Sequence, residues 1–167
     1  ARSAGGPENC IIDCEHFGRG FFFHSGEGPD ARVEGLTITR GYSVISADFT
    51  NHNGGAVRMM NCSPVFANCI ITRNHSIRTG GGVSIEGGSP LFVNCTISSN
   101  WALSGAGGLL GNGDGVPVIR NCTIAGNECH YASGGMEFLY GSNASISNTI
   151  VWGNIGEYGS QIDTFHA

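Results

Sequence analysis

Four stretches of this chain can be laid on one another: PVFANCIITRN at 64–74, PLFVNCTISSN at 90–100, PVIRNCTIAGN at 117–127 and ASISNTIVWGN at 144–154. The marker Asn68-Cys69 recurs as Asn94-Cys95, Asn121-Cys122 and Asn148-Thr149, at intervals of 26, 27 and 27 residues. Two residues beyond each marker stands an apolar residue (Ile71, Ile97, Ile124, Val151), and three further on an asparagine (Asn74, Asn100, Asn127, Asn154). A glycine-rich stretch follows each time, as in Gly80-Gly81-Gly82, Ala106-Gly107-Gly108 and Ser133-Gly134-Gly135. Coincident columns at one period indicate a repeat architecture, in which each copy buries its apolar face against its neighbours.

Toward the N-terminus the period continues more weakly through Gly35-Leu36-Thr37-Ile38 and Asn9-Cys10-Ile11-Ile12, which gives six copies. The interval from Leu36 to Cys69 is 33 residues, so one copy carries about seven extra, between Gly41 and Gly54. A single domain is expected over 1–167, with a lead-in at 1–8, a projecting loop at 41–53 and a last coil or tail at 155–167. A leucine-rich repeat is excluded, because no Leu-x-x-Leu-x-Leu frame is present and the glycine runs oppose a convex helix. Apolar residues instead alternate over short runs bounded by Gly, Pro and Asn, the pattern of short strands and corners. Three such strands per copy, stacked about 4.8 Å apart, predict an all-β chain: a right-handed parallel β-helix of about six coils.

The expected interior ladders are Ile12, Ile38, Ile71, Ile97, Ile124 and Val151; Val33, Phe66, Phe92, Ile119 and Ile146; and Val57, Val83, Leu109 and Met136. The Asn columns read as structural, since Asn tolerates left-handed backbone and its stacked amides can bond from coil to coil.

The chain resembles the right-handed parallel β-helix repeat proteins of the pectate-lyase-like superfamily. Gly54-Gly55-Ala56-Val57 and Ile71-Thr72-Arg73-Asn74 are also similar to the paired short motifs of polymorphic outer-membrane proteins. Those carry Phe where this chain has Ile71, Ile97 and Ile124. The resemblance implies a bacterial exported protein, extracellular or at the cell surface. It fixes no activity, because lyases, hydrolases, adhesins and plain surface repeats share the fold.

Composition narrows the function. There are 28 Gly and 14 Asn, all eight basic residues are Arg, and the formal net charge is −5. Without Lys there is neither a Schiff-base nor a phosphate-loop lysine. The acidic balance with scattered arginines argues against nucleic acid and anionic membranes, and no apolar run reaches the roughly 20 residues that span a bilayer. No signal-peptide pattern precedes Ala1, so either a leader has been removed or this is a piece of a longer chain.

No catalytic residues, metal ligands or cofactor are assigned. Among the acids only Glu8 and Glu34 share a column on adjacent rungs, and these read as exposed end residues. Gly111-Asn112-Gly113-Asp114-Gly115 reads as a turn, being a single copy of a pattern that calcium-binding β-helices repeat. The candidate ligand-binding row is His16, Tyr42, His75 and Trp101, flat side chains on successive rungs that could offer a strip to sugar rings. Cys69, Cys95 and Cys122 read as buried thiols, because an in-register ladder keeps their Cβ atoms near 4.8 Å, beyond the usual disulfide range. Sequons occur at Asn61, Asn74, Asn94, Asn121 and Asn143, of which Asn94 and Asn121 lie in the ladder.

The leading expectation is a non-catalytic extracellular structural or adhesive module that packs end to end with itself into a filament or surface layer. It rests on two open rungs without caps. The alternatives are a carbohydrate-binding β-helix with a polysaccharide partner and, last, a polysaccharide lyase or glycoside hydrolase.

Overall fold

A computed structural model of the chain describes residues 1–43 and 52–165. The described residues form short parallel strands and no helix. From Val65 onward each turn of chain visits four sheets in order. The first holds Arg32–Glu34, Val65–Ala67, Leu91–Val93, Val118–Arg120 and Ser145–Ser147; the second Ile11–Asp13, Thr37–Thr39, Ile70–Thr72, Thr96–Ser98, Thr123–Ala125 and Ile150–Trp152. The third is narrow: His75–Ser76, Trp101–Ala102, Glu128–Cys129 and Ile155–Gly156. The fourth holds Phe21–Phe23, Val57–Met60, Val83–Glu86, Leu109–Asn112, Met136–Leu139 and Ile162–Phe165. The second and fourth sheets are six strands deep, so the column completes about five turns.

All three predicted ladders are present in register. Ile12 pairs with Ile38 and the column runs unbroken to Val151; Val33 leads through Phe66 and Phe92 to Ile146; Val57 leads to Met136. Alternation along each strand turns these residues inward, and Ile38, Phe66, Ile71, Phe92, Ile97 and Leu109 are fully buried. Four sheets per turn rather than three strands per copy is the correction. The third sheet has only two residues per rung, too short for alternation to announce it in the sequence.

The two asparagine columns do different work. Asn68, Asn94, Asn121 and Asn148 sit at left-handed corners, with φ of 52°, 54°, 54° and 48°. Asn74, Asn100, Asn127 and Asn154 are buried and form a continuous ladder. Each Nδ2 donates to the next Oδ1 at 2.9 Å and to a carbonyl of the preceding turn, while each backbone N–H donates to that same Oδ1 at 3.0 Å. Gly41 N–H feeds the first amide, and the Gln161 side chain receives the last at 2.9 Å. The glycines have an equally local cause. A Cβ at Gly55, Gly81 or Gly107 would overlap the carbonyl oxygen of Gly81, Gly107 or Gly134 on the next turn.

The expected boundaries shift in detail. Within the lead-in, residues 1–3 lie along the first sheet: Ser3 N–H donates to Glu34 O and Arg2 bridges Glu34. The inserted segment is narrower than 41–53. Tyr42 and Ser43 hold rung positions, and Ser43 Oγ donates to His52 O at 2.8 Å, tying the two sides together. The expected projection centred on Val44–Phe49 lies outside the described residues. Residues 155–165 form the last coil.

Candidate functional site

The third sheet carries the predicted aromatic row on its outer side. Tyr42 and His75 stack at 5.0 Å between centroids and 19° between planes, and His75 and Trp101 at 4.2 Å and 21°. All three are half-buried. Burial, with the nearby charge of His16, pushes the His75 imidazole below its ordinary value. Stacking along the column makes the rings cover one another's faces, so His75 presents only its edge to solvent. His16 is outside the stack. Its backbone is left-handed at φ 63° and its N–H donates to Arg40 O. Because Tyr42 N–H donates to Gly18 O, the rung position beneath Tyr42 belongs to Gly18-Arg19. The step from Ile12 to Arg19 is seven residues, against four from Ile38 to Tyr42, so the first turn carries three extra residues before this position, which counting from the later copies could not reveal.

The Glu8–Glu34 pair does not assemble. Arg2 occupies the rung before Glu34, and Arg2 and Arg32 lie 3.4 and 3.9 Å from its carboxylate. These exposed pairs contribute little stability. Asp13 is likewise held by Arg40, whose Nε donates to it at 2.7 Å, and its carboxyl is drawn down by that guanidinium. Of the expected turn Gly111–Gly115, Gly111 and Asn112 instead end the strand Leu109–Asn112, and the chain bends at Gly113-Asp114; Asp114 O accepts Gly88 N–H, and a Cβ on Gly115 would overlap Gly88 O. Among the described residues no group of three metal-ligating side chains converges.

Cys69, Cys95 and Cys122 stack in the core and are unbridged. Each thiol donates to the carbonyl two residues before it, at 3.2–3.3 Å. Hydrogen bonding to Cys122 and Cys69, then burial, pushes the Cys95 thiol up, so it keeps its proton. Thr149 fills the next position with a hydroxyl that donates to Ser147 O at 2.9 Å.

The polar constellation missed in the sequence lies on the outer face of the fourth sheet. Its first outward column reads Phe22, Arg58, Ser84, Leu110, Glu137 and Asp163, and its second includes Met60, Glu86, Asn112 and Leu139. Arg58, only 6% exposed, grips Glu86 with two bonds of 2.8 Å, and Asn53 adds a third at 3.1 Å. Burial alone would raise the Glu86 carboxyl, but these bonds outweigh it and hold it below its ordinary value. The Arg19 and Arg58 guanidinium carbons lie 5.5 and 5.4 Å from the Phe22 ring centroid. Burial and then Arg58 lower Arg19 to about 10. Glu137 is 9% exposed and its Oε2 has no hydrogen-bond partner. Burial, then the charge of Asp163, raises its carboxyl. Neither member of this pair falls in the Asn-Cys frame, which is why tallying acids against that frame passed over it.

Stacked parallel strands in four sheets, an internal amide ladder and a repeat of roughly 27 residues define a parallel β-helix solenoid. The chain belongs to the family described as the right handed beta helix region, whose model matches residues 78–166. No curated protein and no solved structure matches it. The family match is to the helix region itself and carries no named activity.

Proposed function

We propose that this chain is a structural or adhesive β-helix module acting outside the cell, through packing of its open rungs against further copies of itself. The observation that carries the reading is the last turn. Ile150, Trp152 and Ile155 are 63%, 74% and 65% exposed there, beside Ile146 and Ile162, on strands that have no outer neighbour among the described residues. Open edges with apolar side chains favour strand-to-strand association. The polar groups support a scaffold as well, because the Asn ladder, Asp13–Arg40 and Arg58–Glu86 are spent on joining turns. The extracellular setting follows the resemblance that the repeat carries.

Sedimentation velocity across a wide concentration range, with electron microscopy, tests the reading. Concentration-dependent growth, reduced by Ile155→Asp, is expected. A monomer at every concentration, without fibres, would overturn it. The carbohydrate-binding alternative draws on Tyr42, His75 and Trp101. It stands second because sugar rings stack on aromatic faces, and here the faces meet one another. Glycan-array binding lost in Trp101→Ala would promote it.

A further inference from the structure

We propose that Glu137 and Asp163, on the outer face of the fourth sheet, form a docking site for an arginine side chain of a partner protein. The two are registered neighbours on adjacent parallel strands, Met136–Leu139 and Ile162–Phe165, and both occupy the outward column. Two carboxylates one rung apart, about 4.8 Å, repel one another. Burying one of them without a hydrogen bond adds a desolvation penalty of the kind that a paired cation normally removes. Glu137 is in that position: its residue is 9% exposed and Oε2 is unpartnered. Among the described residues the Asp163 carboxylate accepts only the adjacent Thr164 N–H, at 2.8 Å.

The same face shows what a carboxylate here accepts. Glu86 receives both arms of the Arg58 guanidinium at 2.8 Å, with the cation lying against the sheet and near the Phe22 ring. Glu137 sits in the same outward column as Arg58, three rungs further on. The chain supplies no second cation to that end. Seven of the eight arginines precede Gly87. Arg120 points out of the first sheet, in the column of Glu34 and Val93. Beyond Arg120 the sequence has Glu128, Glu137, Glu157 and Asp163 and no basic residue other than histidine. Planar, bidentate pairing favours a guanidinium over an ammonium at such a site. The site is lateral, so it requires neither end of the column to be free and stands independently of end-to-end packing.

The test uses the whole chain and three blocked pentapeptides of sequence Gly-X-Gly-X-Gly, with X as arginine, lysine or citrulline, followed by calorimetry at low salt. The arginine peptide is expected to bind about tenfold or more tighter than the citrulline peptide and measurably tighter than the lysine one. Glu137→Gln and Asp163→Asn should each weaken it about tenfold, while Glu128→Gln should leave it unchanged. Circular dichroism of each variant confirms the fold, and Glu137→Gln is expected to be at least as stable as the parent. Equal binding of the citrulline peptide, undiminished binding by folded Glu137→Gln, or no binding at millimolar peptide would overturn the proposal. A lysine peptide that binds as tightly would overturn the arginine assignment. Failure here leaves the sedimentation result untouched, and failure there leaves this one.

Discussion

Removing one amide from the middle of the buried ladder is the sharpest perturbation this structure offers. Asn100→Ala deletes four hydrogen bonds at once. They are Asn100 Nδ2 to Ile71 O at 3.0 Å, Nδ2 to Asn127 Oδ1 at 2.9 Å, and the bonds from Asn74 N–H and Asn74 Nδ2 to Asn100 Oδ1 at 3.0 and 2.9 Å. The abandoned groups lie in the interior, where Asn74 and Asn127 are 1% and 0% exposed, so water cannot replace the lost partners without opening the column. At about 1 kcal/mol net for each bond, the loss is about 4 kcal/mol, and stranded donors can only add to it. For a chain of this size that corresponds to a fall in Tm of about 8–16 °C. Thermal and urea unfolding by circular dichroism and tryptophan fluorescence would measure it. Asn94→Gly is the control, because that asparagine is exposed, its two side-chain bonds (donating to Asn68 Oδ1 at 3.2 Å and accepting from Asn121 Nδ2 at 3.3 Å) are open to replacement by water, and its left-handed backbone is one that glycine tolerates. It should cost less than about 1 kcal/mol. If the two variants were equally stable, or Asn100→Ala lost under about 1 kcal/mol, the ladder would not hold the turns together as argued.

Three further outcomes are expected. Gly107→Ala places a methyl on the carbonyls of Glu128 and Gly134 and should cost about 3 kcal/mol or prevent folding, whereas Gly126→Ala meets no neighbouring atom and pays only for its left-handed φ of 62°. Glu137 has a raised folded-state pKa, so it favours the native state fully below its unfolded value near 4.5 and loses that contribution as pH rises through the folded value. Glu137→Gln should flatten this part of the stability-versus-pH curve; an unchanged curve would show that the carboxyl is not buried in solution. Thiol titration of the native protein should find Cys10 and Cys14, the two partly exposed cysteines, reacting first, with Cys62, Cys69, Cys95, Cys122 and Cys129 reacting only on unfolding. Fast reaction of Cys95 would contradict the stacked core.

The repeat made the interior legible because identical environments recur every turn and impose identical residues. Phe66, Phe92 and Ile119 align in the sequence and stack in space. Short elements and ends were harder. His75–Ser76 is too brief to alternate, and in the first turn Arg19 rather than His16 precedes Tyr42, since that turn carries three extra residues after its second-sheet strand. The polar face of the fourth sheet was hidden for a different reason. Repetition reports what every turn shares, whereas Arg58, Ser84, Leu110, Glu137 and Asp163 differ at each step of one column. Residues of this kind make contacts that occur once rather than at every turn, and only the register shows that they are neighbours.

Gln161 gives the amide ladder a stop of a particular kind. Its Oε1 takes the place that the next asparagine would occupy, yet it comes from seven residues ahead instead of a full turn, and its Nε2 folds back to Asn154 O at 3.2 Å. Any further turn laid on this rung, whatever its source, would offer Asn154 a competing amide and would have to swing Gln161 aside. The exchange trades one amide acceptor for another, so its net cost is small. The Asn154 amide is thereby satisfied while its position stays open to a strand that brings its own asparagine. A single side-chain rotation separates a terminated column from one that can be extended.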